Sequence, residues 1–222
     1  ISGVERPAIA IPLPTRTGLC LVLDAGANAE VRPEHLLQFA RMGRIYAQEV
    51  YGIREPRVGL LNVGEEPTKG TRVVQEAHGL LSAAEGLGFV GNVEGKDVPH
   101  GVADVVVCDG FVGNIVLKLA EGVSSALFDI LRRNVFTGWR GAVAGLLLRP
   151  ALKAVKARLD YAEYGGAPLL GVRGVSIIAH GRSDRRAIFN AIRAAAEAVE
   201  RDVPARIADA FAAIPQECEA RA

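Results

Sequence analysis

The sequence predicts a layered α/β fold, and three observations carry that expectation. Strand-like and helix-like segments alternate along the chain. Half of the 222 residues are hydrophobic, enough to bury a sizeable core. Apolar runs end repeatedly in Gly, Asn, Asp or a charged residue just before a helical pattern, as strands do when they cross over to helices.

Taken in order, Ile9–Pro12 and Gly18–Asp24 read as strands, with Pro14 and Thr15 between them. From Arg32 to Gly52 the periodicity is helical: Leu36, Leu37, Ala40, Ile45, Tyr46 and Val50 share a face, and Pro33 suits a first turn. Arg57–Val63 reads as strand, Thr71–Leu81 as helix, Gly88–Gly91 and Val102–Cys108 as strands. Asn114–Asn134 and Gly141–Leu159 read as helices, Pro150 marking a kink or boundary in the second. Pro168–Leu170 and Val175–Ala179 read as strands, and the Ala-rich run Asp184–Ala213 as one or two helices. The expectation is one domain over residues 1–222, with a helical protrusion at about 114–161.

Composition excludes several functions. Lys and Arg total 26 against 25 Asp and Glu, so no basic field points to nucleic acid, and aromatic residues are too sparse for base stacking. Cys20, Cys108 and Cys218 lack metal-ligand spacing; the first two lie in apolar runs and read as reduced core thiols of a cytosolic protein. No metal site or cofactor is expected. No secretory signal precedes the first strand, and no apolar run reads as long enough to span a bilayer. The opening Ile1-Ser2-Gly3-Val4 lacks an initiator Met and is read as the start of the later part of a longer protein.

Four loops share one habit: DAGAN at Asp24–Asn28, NVGEEPTKG at Asn62–Gly70, CDGFVGN at Cys108–Asn114 and AHGRSD at Ala179–Asp184. On a parallel sheet all four gather along one edge, where glycine amides approach a ligand closely and helix N-termini favour an anion. Ordinary strand-to-helix turns use the same residues for geometry alone. Lys69, just before a helix, offers one ammonium to a phosphate or to transition-state charge; most lysines are simply solvated. Glu65 and Glu66 are general bases, orienters of Lys69 or exposed charges. Asn114 offers an amide donor to a developing oxyanion, or else an N-cap. Ser183 and Asp184 suit caps of the last helix, and His180 binds phosphate, shuttles a proton or is a hydrogen-bonded structural residue. With no G-x-S-x-G elbow, no P-loop, no G-x-G-x-x-G after a strand and no base beside Cys108, direct transfer is easier to support than a covalent intermediate.

Between Phe136 and Leu148 the run FTGWRGAVAGLLL is ringed by Arg132, Arg133, Arg140, Arg149, Lys153, Lys156 and Arg158. Trp139, Leu146, Leu147 and Leu148 suit a membrane interface or a homodimer face equally, and the basic residues also suit an acidic carrier protein.

The ordered segments LDAGAN, RPEHLLQFARMG, PRVGLLNVGEEPTKG, FVGNVEGKD, ADVVVCDGFVGNIVLK, LDYAEYGGAPLLGV and AHGRSD resemble the bacterial phosphate acyltransferase family over nearly the whole chain. That resemblance implies a three-layer α/β/α Rossmann-like fold, similar to isopropylmalate dehydrogenase and phosphate acetyltransferase. It implies transfer of a fatty acyl group from acyl-acyl carrier protein to inorganic phosphate, feeding phospholipid synthesis. It also implies a homodimer in the cytoplasm, bound peripherally to the inner membrane face. Lys69 of TKG and Asn114 of FVGN are the expected catalytic residues. Asp109, Gly110 and Gly113 shape the pocket, with Gly26, Asn28, Asn62, Gly64 and His180 around it. Family members carry a further amino-terminal segment, with DAMGGD-like and AGNTGA-like loops, that this sequence lacks. A phosphate acetyltransferase-like enzyme using coenzyme A thioesters and a non-catalytic membrane scaffold are the alternative readings.

Overall fold

A computed structural model describes the chain except residues 135–136, 160–164, 180, 182 and 214–222. Its centre is a seven-stranded mixed sheet in the order β4-β3-β5-β2-β1-β6-β7. β2 (Leu19–Leu23), β3 (Val58–Asn62), β4 (Phe89–Glu94) and β5 (Val105–Val107) run parallel. β1 (Ala8–Pro14) is antiparallel both to β2 and to β6 (Ala167–Leu170), and β7 (Ile177–Ile178) reverses again beside β6. The sheet is therefore mixed, not the all-parallel arrangement on which all four glycine-bearing loops would gather along one edge. β1 and β2 are joined by the four residues 15–18, too few for the crossover a parallel pair requires.

Strand alternation divides the core between two faces. Leu21, Leu23, Val105 and Val107 face one cluster, under α1 (Pro33–Glu49), α2 (Arg72–Ala83) and α6 (Val203–Ala212). Cys20, Val22 and Val106 face the other, against which Val112, Val116 and Leu117 of α3 (Gly110–Asn134) pack. The three layers match the expected α/β/α arrangement. α4 (Gly138–Leu159) continues as helix through Pro150, and α5 (Arg185–Glu200) starts at Asp184, whose carboxylate accepts from the Arg186 and Ala187 amides. The final Ala-rich run is two helices, broken at Asp202, where φ is +52°.

One further expectation is corrected. α3 is long and apolar enough, by length and composition, to cross a membrane. Its first two turns nonetheless pack on the sheet, where Gly110 and Gly113 are buried. The signal missed in the sequence was spread over 25 residues with Lys118 and Glu121 inside it, not a continuous apolar run.

Candidate functional site

Because β3, β5 and β2 are neighbours and parallel, the loops that follow them emerge side by side at one edge. Those loops are three of the four singled out by sequence, and they carry Lys69, Asp109, Asn114, Gly26 and Asn28 to a common rim. The fourth differs. β7 runs opposite to β6 and to β2, so Ala179 leaves toward the other edge of the sheet. His180 lies outside the described residues.

The DAGAN loop is built inward. Asp24 is fully buried, and its Oδ1 accepts the amides of Ile9 (3.0 Å), Gly26 (3.1 Å) and Ala27 (3.0 Å). Its Oδ2 accepts the Asn28 amide at 2.6 Å and Asn28 Nδ2 at 2.9 Å, while the same Nδ2 also reaches the Pro7 carbonyl at 2.8 Å. These donors satisfy a carboxylate that burial alone would make costly. The amides of Gly26, Ala27 and Asn28, of the kind that glycine loops offer to a ligand, are here committed to Asp24.

α3 is seated on this loop. The Gly110 amide donates to the Asn28 carbonyl at 2.7 Å, and the Asp109 carboxylate accepts the Val112 amide at 2.8 Å as a helix N-cap. Capping at Asp109 starts the helix four residues earlier than its apolar pattern announces, so Asn114 stands in the second turn and is not a cap. There it crosses Gly26, where an added β-carbon would lie 3.7 Å from Asn114 Cβ. Cys108 is buried 3.6 Å below the Asp24 carbonyl, and burial pushes its thiol well above the ordinary range, so it offers no thiolate.

The Lys69 loop is equally braced. Asn62 Nδ2 donates to the Lys69 carbonyl at 3.0 Å while Asn62 Oδ1 accepts the Val63 amide at 2.8 Å. Gln75 Nε2 holds the carbonyls of Thr68 (2.7 Å) and Gly70 (3.1 Å), and the Lys69 amide donates to Glu66 at 3.0 Å. Gly70 sits at φ +87°, and a side chain there would meet Asn62 Oδ1 at 2.5 Å. The Lys69 stem lies against Gly64, within 3.0 Å of where a β-carbon would stand. Lys69 itself is exposed, so a rigid loop presents its ammonium outward.

Two features had no clear sequence signal. Asn92 of β4 is buried and donates from Nδ2 to the Glu66 carbonyl at 2.9 Å, tying the loop to the sheet. Carboxylate oxygens of Glu65, Glu94 and Asp97 lie within 4.8 Å of one another, a hard-oxygen set of the kind a divalent cation takes, with Lys96 Nζ already 2.9 Å from Glu94. Asp24 was legible in principle: an Asp followed by Gly and Asn forms turns on its own carboxylate.

A protein-family model described as "Fatty acid synthesis protein" matches residues 1–206. The chain belongs to that family. Among its curated relatives, the phosphate acyltransferase of Pelotomaculum thermopropionicum is 56% identical over 200 residues, covering 90% of this chain and 58% of the relative. That of Heliobacterium modesticaldum is 56% identical over 207 residues, covering 93% and 62%. The chain thus spans about three fifths of the length of these relatives. Among solved structures, a branched-chain phosphotransacylase from Enterococcus faecalis V583 superimposes with a TM-score of 0.53 at 16% identity, covering 88% of this chain and 66% of that one. At that identity the likeness is one of fold, and it agrees with the α/β architecture of this member of the fatty acid synthesis protein family.

Proposed function

We propose that this chain is the greater part of a phosphate acyltransferase that moves a fatty acyl group from acyl-acyl carrier protein to inorganic phosphate. What carries the reading is the family match together with the convergence of the Lys69, Asp109 and Asp24 loops at one sheet edge. Phosphate sits against the Lys69 ammonium, and one of its oxygens attacks the thioester carbonyl carbon. The carbonyl oxygen takes the negative charge and receives a hydrogen bond from Asn114 Nδ2. Collapse of the tetrahedral species breaks the carbon–sulfur bond, leaving acyl-phosphate and the carrier's thiolate. Phosphate is already an anion at neutral pH, so positioning and charge stabilisation outweigh base catalysis. Asp109, Gly110 and Gly113 shape the pocket by fixing α3, Asn62 and Gly64 by fixing Lys69, and Gly26 and Asn28 by bracing the loop on which α3 is seated. No cofactor takes part.

Residues 1–222 act as one domain, with α3 and α4 projecting from it. Leu146, Leu147 and Leu148 of α4 are exposed, at 70%, 75% and 48%. Successive helical residues point about 100° apart, so these three spread around the helix, which suits insertion among lipids better than one-sided docking. Trp139, also exposed, fits the headgroup level. These exposures support peripheral attachment to the inner face of the cytoplasmic membrane, with the exposed apolar face of α3 left for a homodimer contact.

The deciding experiment uses full-length protein, radiolabelled phosphate and acyl-acyl carrier protein, with acyl-phosphate as the readout and acyl-coenzyme A as the competing donor. Lys69→Ala and Asn114→Ala are each expected to lower turnover about 100-fold or more, the scale of one lost oxyanion donor, with unchanged thermal unfolding. Near-normal turnover in both variants rejects their roles. Vesicle binding without phosphate-dependent transfer by the wild type selects the scaffold reading.

A further inference from the structure

A cavity of about 250 Å³ lies beneath α3, lined by Leu13, Pro14, Val98, Pro99, Leu117 and Val123. Ala120, Glu121 and Ser124 complete its α3 side. Apolar, concave space of this kind is where apolar ligand groups bind. Its position relative to the rim gives it meaning. Asn114, Leu117, Glu121 and Ser124 follow one another at intervals of three and four, so they share a helical face. At 1.5 Å per residue, Leu117 to Ser124 lie about 4.5–15 Å down the axis from Asn114. A group held at Asn114 with a long substituent therefore finds the cavity directly along the side of the same helix. The far wall comes from the carboxyl end of β1 and the 3-10 turn Val98–His100, at the sheet edge opposite the Lys69 loop.

We infer that this cavity receives the distal hydrocarbon of the acyl donor, so that α3 carries both the carbonyl contact and the chain-length gauge. The inference rests on the acyl-transfer reading and names the part of the substrate that this second region takes. The occupant is an alkyl chain: the wall is dominated by aliphatic carbon, with Glu121 and Ser124 as its polar members.

The test measures kcat/KM of full-length protein with octanoyl and palmitoyl thioesters of acyl carrier protein, and the ratio between them. Ala120→Phe fills the space from the helix side. Ser124→Leu does so one turn further on and provides a second variant should the first not fold. Circular-dichroism melting identifies the folded variants, and light scattering follows oligomeric state. The palmitoyl-to-octanoyl ratio is expected to fall about tenfold, the scale of a mismatch of one or a few methylenes in an apolar pocket. An unmoved ratio in a folded variant overturns the inference. So does loss of a dimer with the ratio unmoved, which assigns the cavity to a second copy. Absence of phosphate-dependent product from the wild type with either donor removes the acyl-transfer reading itself, and this inference with it. Wild-type turnover with an unmoved ratio removes this inference alone.

Discussion

A β-carbon on Gly113 would overlap the Asp24 carbonyl oxygen and stand 3.1 Å from Cys108 Sγ, both fixed in the core beneath α3. Nothing flexible is available to yield, so the helix would have to lift from the loop. Gly113→Ala is expected to destabilise the protein by about 1–3 kcal/mol, as other overpacking substitutions do, and, if Asn114 holds the oxyanion as proposed, to lower turnover because that residue moves with the helix. Gly122→Ala, about two and a half turns further along, meets nothing within 4 Å and should stabilise by about 0.5–1 kcal/mol. Urea unfolding of the pair decides the matter. These roles were only half legible in the sequence. DAGAN and CDGFVGN marked themselves as glycine-bearing turns, but period and spacing do not show that the Ile9 amide would also reach Asp24 or that Asn28 would reach the Pro7 carbonyl. Those contacts depend on the segment entering β1 arriving beside the loop.

Among elements, the parallel strands β3 and β5 are clasped at their entry ends by Arg57 and Asp104. The Arg57 amide and Nε reach Asp104 Oδ2 at 2.9 and 3.0 Å, and Nη2 reaches Oδ1 at 2.9 Å. Partial burial pushes the Asp104 carboxyl up, but the Arg57 side-chain hydrogen bonds, its amide and its charge together hold it below the ordinary 3.8. A depressed carboxyl contributes stability above its unfolded pKa and loses it as pH falls through the folded one. Asp104→Asn should therefore cost about 1 kcal/mol at neutral pH, a modest figure because Arg57 is half exposed. The gap between variant and wild type should close as the pH is taken well below 3.8. Urea midpoints across that range provide the check. Most elements were legible because their apolar runs are long. The errors had two causes: α3 starts at Gly110 because Asp109 caps it locally, and β4 extends to Glu94, past the predicted Gly91, because β3 pairs with it from Gly91 onward, beyond a bulge at Val90.

For the whole molecule, the sequence indicated the layers but not the strand directions. The reversal of β1 and β7 follows from short connections that apolar patterning does not encode, and it directs Ala179 away from the rim. The apolar surface left outside the core concentrates on α3, α4 and α5. If the α4 leucines enter lipid, Leu146→Glu plus Leu147→Glu should weaken flotation with anionic vesicles by about tenfold or more, since each carboxylate would have to be desolvated. Unchanged flotation with dissociation of a dimer would instead make α4 a subunit contact. The inward-turned carboxylate of Asp24 has a last consequence. A turn whose Gly26, Ala27 and Asn28 amides are already engaged by a buried carboxylate is ordered before anything binds, so a ligand at the proposed site would lose no binding free energy to ordering that turn.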